Sequence, residues 1–139
     1  MASILKVDTI TGVSTAGSIA VTGEGNSTTT NLQQGLCKAW TNINGSSGTP
    51  AARDSFNNGS ITDNAAGDYT LSFTSSFGNA NYTHVGMGGN GSTALRTPCQ
   101  QTGDHAPATG SCRYQLIVEN ASAAVDGHFF GVENLGDLA

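Results

Sequence analysis

The feature that most constrains this fold is the alternation of apolar and polar side chains in short segments. In residues 68–75, Tyr, Leu and Phe alternate with hydroxyl side chains. A period of two puts successive side chains on opposite faces of a strand, so one face of this segment is apolar. Residues 63–67, just before it, include Asp, Asn and Gly, which favour tight turns. The pattern therefore predicts a hairpin whose partner strand ends at residues 60–62.

Similar segments recur along the chain between clusters of turn residues. Residues 116–118 form a continuous apolar run, which is typical of a central strand buried on both faces. The pattern predicts an all-β protein in which residues 36–139 form a β-sandwich with a jelly-roll-like arrangement. The candidate strands are residues 36–43, 51–56, 60–62, 68–75, 82–87, 92–97, 113–119 and 127–132.

Trp40 is the only tryptophan of the chain. Because a tryptophan side chain has a large apolar area, it is predicted to anchor the core or an interface. A platform for a ligand is the alternative. The large side chains predicted to be buried within the domain or between copies are Trp40, Phe56, Tyr69, Leu71, Phe73, Leu116 and Val118.

Residues 1–35 differ from the rest and are predicted to form a short N-terminal β arm. Residues 3–10 and 18–22 each have the character of a strand, whereas the polar, Thr-rich residues 23–34 are typical of a linker. Two short strands do not make a stable domain, so the arm is expected to pack on another copy or on a larger particle. The apolar side chains assigned to this attachment and trimerisation arm are Ile4, Leu5, Val7, Ile10, Ile19 and Val21.

The composition supports a β protein that associates with itself. Gly, Ser, Thr and Asn make up 62 of the 139 residues, and hydrophobic residues make up only 37%. A monomer with so little apolar mass would have a thin core, and oligomerisation would bury strand faces and edges. The net charge of −5, with five Lys and Arg in total, argues against nucleic-acid binding. No stretch approaches 18 apolar residues, so no membrane insertion is predicted.

No sequence motif indicates catalysis, a metal or a cofactor, and the chain is predicted not to be an enzyme. It contains no Gly-x-Ser-x-Gly elbow that would present a nucleophile. The Gly-rich residues 86–91 are not followed by a helical pattern, so they do not fit a phosphate-binding loop. Cys99, His105 and Cys112 match no familiar zinc spacing.

Cys99 and Cys112 flank a segment without strand alternation. A disulfide between them would close a 14-residue loop, and such a loop closure contributes about 3 kcal/mol if the unfolded chain loses entropy alone. Two free thiols at strand ends are the alternative. Cys37 is expected to pack as a small apolar residue.

Several distinctive strings lie in the first 85 residues. In the arm they are S-I-L-K-V-D-T-I at residues 3–10 and A-G-S-I-A-V-T-G-E-G at residues 16–25. After the arm they are T-N-L-Q-Q-G-L at 30–36, K-A-W at 38–40, D-S-F-N at 54–57 and S-I-T-D at 60–63. In these strings the chain resembles tail-fibre and related virion proteins of marine and cyanobacterial tailed phages.

The resemblance implies a homotrimeric virion component without catalytic residues. Its arm would attach to the tail or baseplate, and its C-terminal β domain would contact the host surface, with a surface glycan as the expected ligand. A capsid cement protein bound to the major capsid protein is the alternative. Residues 86–139 look unlike the usual continuation of these proteins.

The host contact is expected in the loops of the second half, residues 86–92 and 99–112, because binding residues concentrate in loops. A loop that only covers a sheet edge or a neighbouring copy is the alternative for the second of these. The side chains assigned to hydrogen bonds with sugar hydroxyls are Gln100, Gln101, Asp104 and His105.

Overall fold

All regular structure in the described part of the chain is β-strand, which confirms the all-β prediction. The computed structural model describes residues 4–12, 19–23, 28–32, 35–46, 48–89, 96–100, 105–118 and 124–137, with residues 96–100 and 118 described for their backbone only. The strands are β1 (Ala20–Thr22), β2 (Thr29–Asn31), β3 (Cys37–Asn44), β4 (Ala51–Phe56), β5 (Asn58–Ala65), β6 (Asp68–Phe73), β7 (Thr83–Gly89), β8 (Arg96–Gln100), β9 (Ser111–Val118) and β10 (Phe129–Leu135).

The chain divides into two compact units, Met1–Leu36 and Cys37–Ala139. The sequence placed the boundary one residue earlier. In the first unit β1 and β2 pair antiparallel, with Ala20 opposite Asn31. The predicted linker therefore contains a strand, because its β-branched threonines suit a pleated surface.

The predicted strand at residues 3–10 is wrong over its described part. Residues 4–10 form no ladder with any described segment, and all seven are exposed. A strand needs a partner to satisfy its backbone N–H and C=O groups, so alternation within one segment does not create a strand. The prediction for residues 18–22 agrees with β1 in its last three residues.

In the second unit, the described strands form one eight-stranded antiparallel sheet. The strand order is β4-β3-β10-β7-β8-β9-β6-β5. Strands β10-β7-β8-β9 make a Greek key, in which the fourth strand of the set returns beside the first. Each of the eight strands predicted for this unit overlaps an observed strand, although residues 92–95 and 119 lie outside the described residues.

Strands β4 and β5 stand at opposite ends of the strand order, yet they are consecutive in the chain. Asn57 joins them with a φ of 57°, a left-handed conformation that asparagine tolerates. Its side-chain amide donates 3.0 Å hydrogen bonds to the carbonyls of Lys38, in β3, and of Ser75, just after β6. The corner at Asn57 therefore brings the two ends of the sheet together.

The inner face of the sheet packs on itself. The rings of Tyr69 in β6 and Phe130 in β10 are 5.9 Å apart, although these strands are four places apart in the sheet. Such face-to-face packing gives the unit a sandwich-like core. The buried hydrophobic residues are Ala39, Ile43, Tyr69, Leu71, Phe77, Tyr82, Cys112, Tyr114, Leu116, Phe130 and Val132.

The predicted core is confirmed for Tyr69, Leu71 and Leu116, each of which is at most 1% exposed. Phe73 is half-buried against this core. Trp40 is half-buried and Phe56 is 51% exposed, so neither belongs to the core of one copy. The side chain of Val118 lies outside the described residues.

Candidate functional site

The outer face of strands β4, β3, β10 and β7 carries a row of large side chains. Trp40 of β3 lies opposite Phe56 of β4 on one side and opposite Glu133 of β10 on the other. Glu133 in turn lies opposite Val85 of β7. Because side chains alternate between faces along each strand, residues directly opposite one another project on the same side, away from the core.

The next positions on the same face add Met87 and Phe129. Val85, Met87, Phe56 and Phe129 are 62%, 71%, 51% and 41% exposed. Contiguous exposed apolar side chains mark interaction surfaces in folded proteins. We call this surface the apolar face, and it comprises Phe56, Trp40, Phe129, Val85 and Met87 around Gly131 and Glu133.

A groove of about 400 Å³ crosses the apolar face. Its floor is Gly131, which lies opposite Met87 on β7 and opposite Asn42 on β3. A Cβ built on Gly131 would lie 3.6 Å from the ring of Phe129, an ordinary van der Waals distance. A Cβ is therefore sterically accommodated at this position, and the absence of a side chain on Gly131 leaves the groove open. Glu133 is the one charged side chain among the described residues that line the groove.

A second, polar cluster surrounds Asp68 at the start of β6. Arg113 of β9 donates two hydrogen bonds to its carboxylate, from Nε to Oδ1 at 2.7 Å and from Nη2 to Oδ2 at 2.8 Å. Gln115 and Asn64 donate two more, at 3.0 and 3.3 Å. Burial alone would raise the pKa of Asp68, but these hydrogen bonds and the charge of Arg113 together hold the pKa below its usual value. The paired carboxylate fixes the Arg113 side chain.

His105, one of the predicted host-contact residues, lies beside this cluster. Nη1 of Arg113 is 2.7 Å from Nε2 of His105, and since a guanidinium has no acceptor, Arg113 is the donor. The two residues line an open pocket of about 230 Å³ together with the hydroxyl-bearing Thr70 and Ser111. This pocket offers several hydrogen-bonding groups within a small space, which suits a polar ligand.

The other predicted host-contact residues are described only in part. Gln100 is the last residue of β8 and lies opposite Tyr114, with its backbone alone described. Gln101 and Asp104 lie outside the described residues. The predicted loop at residues 86–92 is wrong over residues 86–89, which belong to β7, because glycines in a paired strand still form ladder hydrogen bonds. Sequence reasoning missed Arg113 as the residue that holds His105, since its partner Asp68 is 45 positions away.

Of the two alternatives for Cys99 and Cys112, the candidate disulfide is not formed, because the Cys112 thiol is free. The register places Cys99 opposite Gln115, three residues from Cys112. Three residues of strand span about 10 Å, which exceeds the limit of about 7 Å between the Cα atoms of a disulfide. Burial raises the pKa of the Cys112 thiol. Cys37 is half-buried, and its Sγ donates to the carbonyl of Ala39 at 3.2 Å.

The arm residues singled out from the sequence are mostly exposed. Ile4, Leu5, Val7 and Ile10 are 79%, 81%, 54% and 56% exposed, and Val21 in β1 is 51% exposed. Ile19, just before β1, is half-buried. The first unit thus presents apolar side chains to its surroundings, as the apolar face does in the second unit.

Polar atoms of Tyr114, Asn134 and His84 are buried inside the second unit. The Tyr114 hydroxyl donates to Oδ1 of Asn134, and the ring of His84 is 5.4 Å from that of Tyr114. Nδ1 of His84 is buried without a hydrogen-bond partner among the described residues. Burial lowers the pKa of His84 and favours the neutral ring. No sequence signal distinguished this histidine from the other two.

Within the described residues, no three His, Cys, Asp or Glu side chains are grouped so that they could hold a metal ion. In the same residues there is no helix long and apolar enough to cross a membrane. No protein family, no curated protein and no solved structure matches the chain.

Proposed function

We propose that this chain is a structural component of a phage virion, a short tail fibre or fibre tip that assembles as a homotrimer. Its N-terminal unit attaches to other tail or baseplate proteins. Its β domain, which we propose to be jelly-roll-like because of its Greek key, contacts the host surface. The role is structural and not catalytic, and the protein needs no cofactor.

The apolar face is the observation that carries this proposal. A monomer would leave Val85 and Met87 more than 60% exposed on a four-stranded surface, at an unfavourable free energy of hydration. Contact with further copies or with other virion proteins would remove these side chains from water. Such contacts would likewise remove the exposed apolar side chains of the first unit from water. The resemblance of residues 3–85 to phage virion proteins supports an assembled particle as the setting.

The host contact is proposed at the pocket beside His105 and Arg113. Arg113 is held in place by Asp68, so its remaining donors are oriented before a ligand binds, which lowers the entropy cost of binding. Hydroxyls of Thr70 and Ser111 line the same pocket. Such an arrangement suits the hydroxyls of a host surface glycan.

A capsid cement protein is the second candidate, because an exposed apolar arm and an apolar face would equally bind a shell. Location separates the two roles. Purified virions should be imaged by electron cryomicroscopy and labelled with antibodies raised against the β domain. We expect label and trimeric density at the tail. Density over the shell would establish the cement role, and absence from the particle would overturn both.

A further inference from the structure

We propose that the groove over Gly131 binds residues 4–7 of a second copy of this chain. The inference rests on the proposed self-association and specifies the contact that produces it.

The groove fits a ligand with an apolar body and one positive charge. Trp40 and Phe129 supply aromatic surface, and Met87 supplies a flexible apolar wall. Glu133 lies two residues from Gly131 on the same face of β10. A cation beside Glu133 would also lie near aromatic rings, which attract positive charge.

One exposed segment of the chain has this chemistry. Among the residues whose burial is described, the exposed large hydrophobic ones outside the apolar face all belong to the first unit. Lys6 is the only basic residue of that unit, and Ile4, Leu5 and Val7 around it are between 54% and 81% exposed. Residues 4–7 therefore combine the positive charge and the apolar side chains that the groove requires.

The spacing of the segment also matches the spacing of the groove. In an extended chain, residues two apart point the same way and are separated by about 7 Å. Ile4 and Lys6 are so related, and Gly131 and Glu133 are so related in β10. When Lys6 lies at Glu133, Ile4 therefore lies over Gly131, which has no side chain of its own, and beside the ring of Phe129. The ion pair would be partly shielded from water by the aromatic walls, which strengthens it relative to an exposed pair.

A charge-reversal cycle in the full-length chain tests the contact. Glu133→Lys and Lys6→Glu each place like charges together, so each should weaken association about tenfold or more. The double variant restores opposite charges and should recover most of the lost affinity. Oligomer mass would be measured by analytical ultracentrifugation over a range of concentrations, with circular dichroism as a check on folding. Single variants that associate like the unchanged chain would overturn the proposal.

Filling the groove provides an independent test. Gly131→Leu adds a side chain where the built Cβ meets only ordinary contacts, so the fold is expected to persist while association falls at least tenfold. Thr62→Leu, at an exposed position of β5, places the same leucine side chain outside the groove and should leave association unchanged. Equal association of the two variants would contradict the proposed contact.

A cross-link identifies the two partners directly. A photoreactive phenylalanine at position 4, in a mixture of isotopically light and heavy chains, should yield mixed-mass cross-links to the peptide that contains Gly131. Cross-links confined to one mass would show binding within a copy and overturn the intermolecular contact. Self-association that is insensitive to every variant would refute this inference alone, since the virion role is tested separately by location on the particle.

Discussion

His84 is half-buried, and its surroundings differ from those of a surface histidine. It lies against the Tyr114 ring, and its buried Nδ1 has no hydrogen-bond partner among the described residues. A positive charge in this position would be poorly solvated. His84 therefore links the stability of the core to pH near neutrality.

We predict that the folded protein loses stability as the pH falls below about 6.5. The usual pKa of His84 is 6.5 and burial lowers it in the folded state, so the unfolded chain binds the proton first. Stability then decreases with falling pH, from 6.5 down to the lowered pKa, by no more than about 1.4 kcal/mol per pH unit. Urea unfolding of His84→Phe at pH 5 to 8 should show a shallower dependence than the unchanged chain.

His128→Gln, at an exposed position, is the matched control for the loss of a histidine elsewhere in the chain. Identical slopes for all three proteins would contradict the assignment to His84. Asp68 affects the stability over a lower range of pH than His84 does. Its pKa lies below the usual value of 3.8, so its contribution is present above that value and is lost only in stronger acid.

At the scale of elements, the turn between β5 and β6 shows how a hairpin is tied to the rest of the sheet. Gly67 has a φ of 65°, which favours glycine. Its N–H donates to Asp126 at 2.7 Å, and its carbonyl accepts from the N–H of Leu116 at 2.8 Å. The turn therefore contacts two segments distant in sequence, and a change in it disturbs more than one hairpin.

We predict that Gly67→Ala is more destabilising than Gly48→Ala. Both glycines have a positive φ, and this backbone strain alone costs about 1 kcal/mol for alanine. A Cβ at Gly67 would also lie 2.2 Å from the carbonyl oxygen of Val125, whereas a Cβ at Gly48 meets nothing within 4 Å. Thermal or urea unfolding should place Gly67→Ala at least about 2 kcal/mol below Gly48→Ala. Equal losses would mean that the 124–126 segment moves aside freely.

At the scale of the whole molecule, the two units differ in role: the second contains the buried core, and the first exposes apolar side chains that can take part in association. Among the residues that the structure describes, the buried hydrophobic ones, from Ala39 to Val132, all lie in the second unit. In its described part, the first unit has a hairpin of two three-residue strands, which is too small to be stable alone. Its apolar side chains are therefore available for contacts beyond its own unit.

A chain that begins at about Gln33 should consequently fold. We predict that its circular dichroism retains the β signal of the full chain and that its unfolding remains cooperative, because the core residues are all present. Its mass should fall from that of the proposed trimer of 14.1 kDa chains towards that of a monomer, since the arm is absent. Loss of the β signal would refute the division into units.

The position of the strands and turns followed largely from the sequence, because alternation and turn chemistry are local properties. Residues 51–56 were predicted with the bounds that β4 has, and the hairpin of β5 and β6 was predicted from its alternation and its glycine. Errors arose where a strand depends on its partner. Strand β2 pairs with β1, whereas residues 4–10 pair with no described segment, although apolar and polar side chains alternate more clearly in residues 4–10. Pairing depends on segments far away in the chain, which local patterns do not identify.

The candidate sites depended on tertiary structure. Alternation in the sequence assigned Trp40 to one face of β3 without showing whether that face is inside or outside. The sheet folds so that Tyr69 and Phe130 pack on its inner face, and this leaves Trp40 on the outer face. The low hydrophobic content predicted that copies would bury apolar surface against one another, but it did not indicate which surface. The pairing of Arg113 with Asp68 and the separation of Cys99 from Cys112 likewise follow from the strand order. Local chemistry determines which segments become strands, whereas the order of pairing determines which side chains meet.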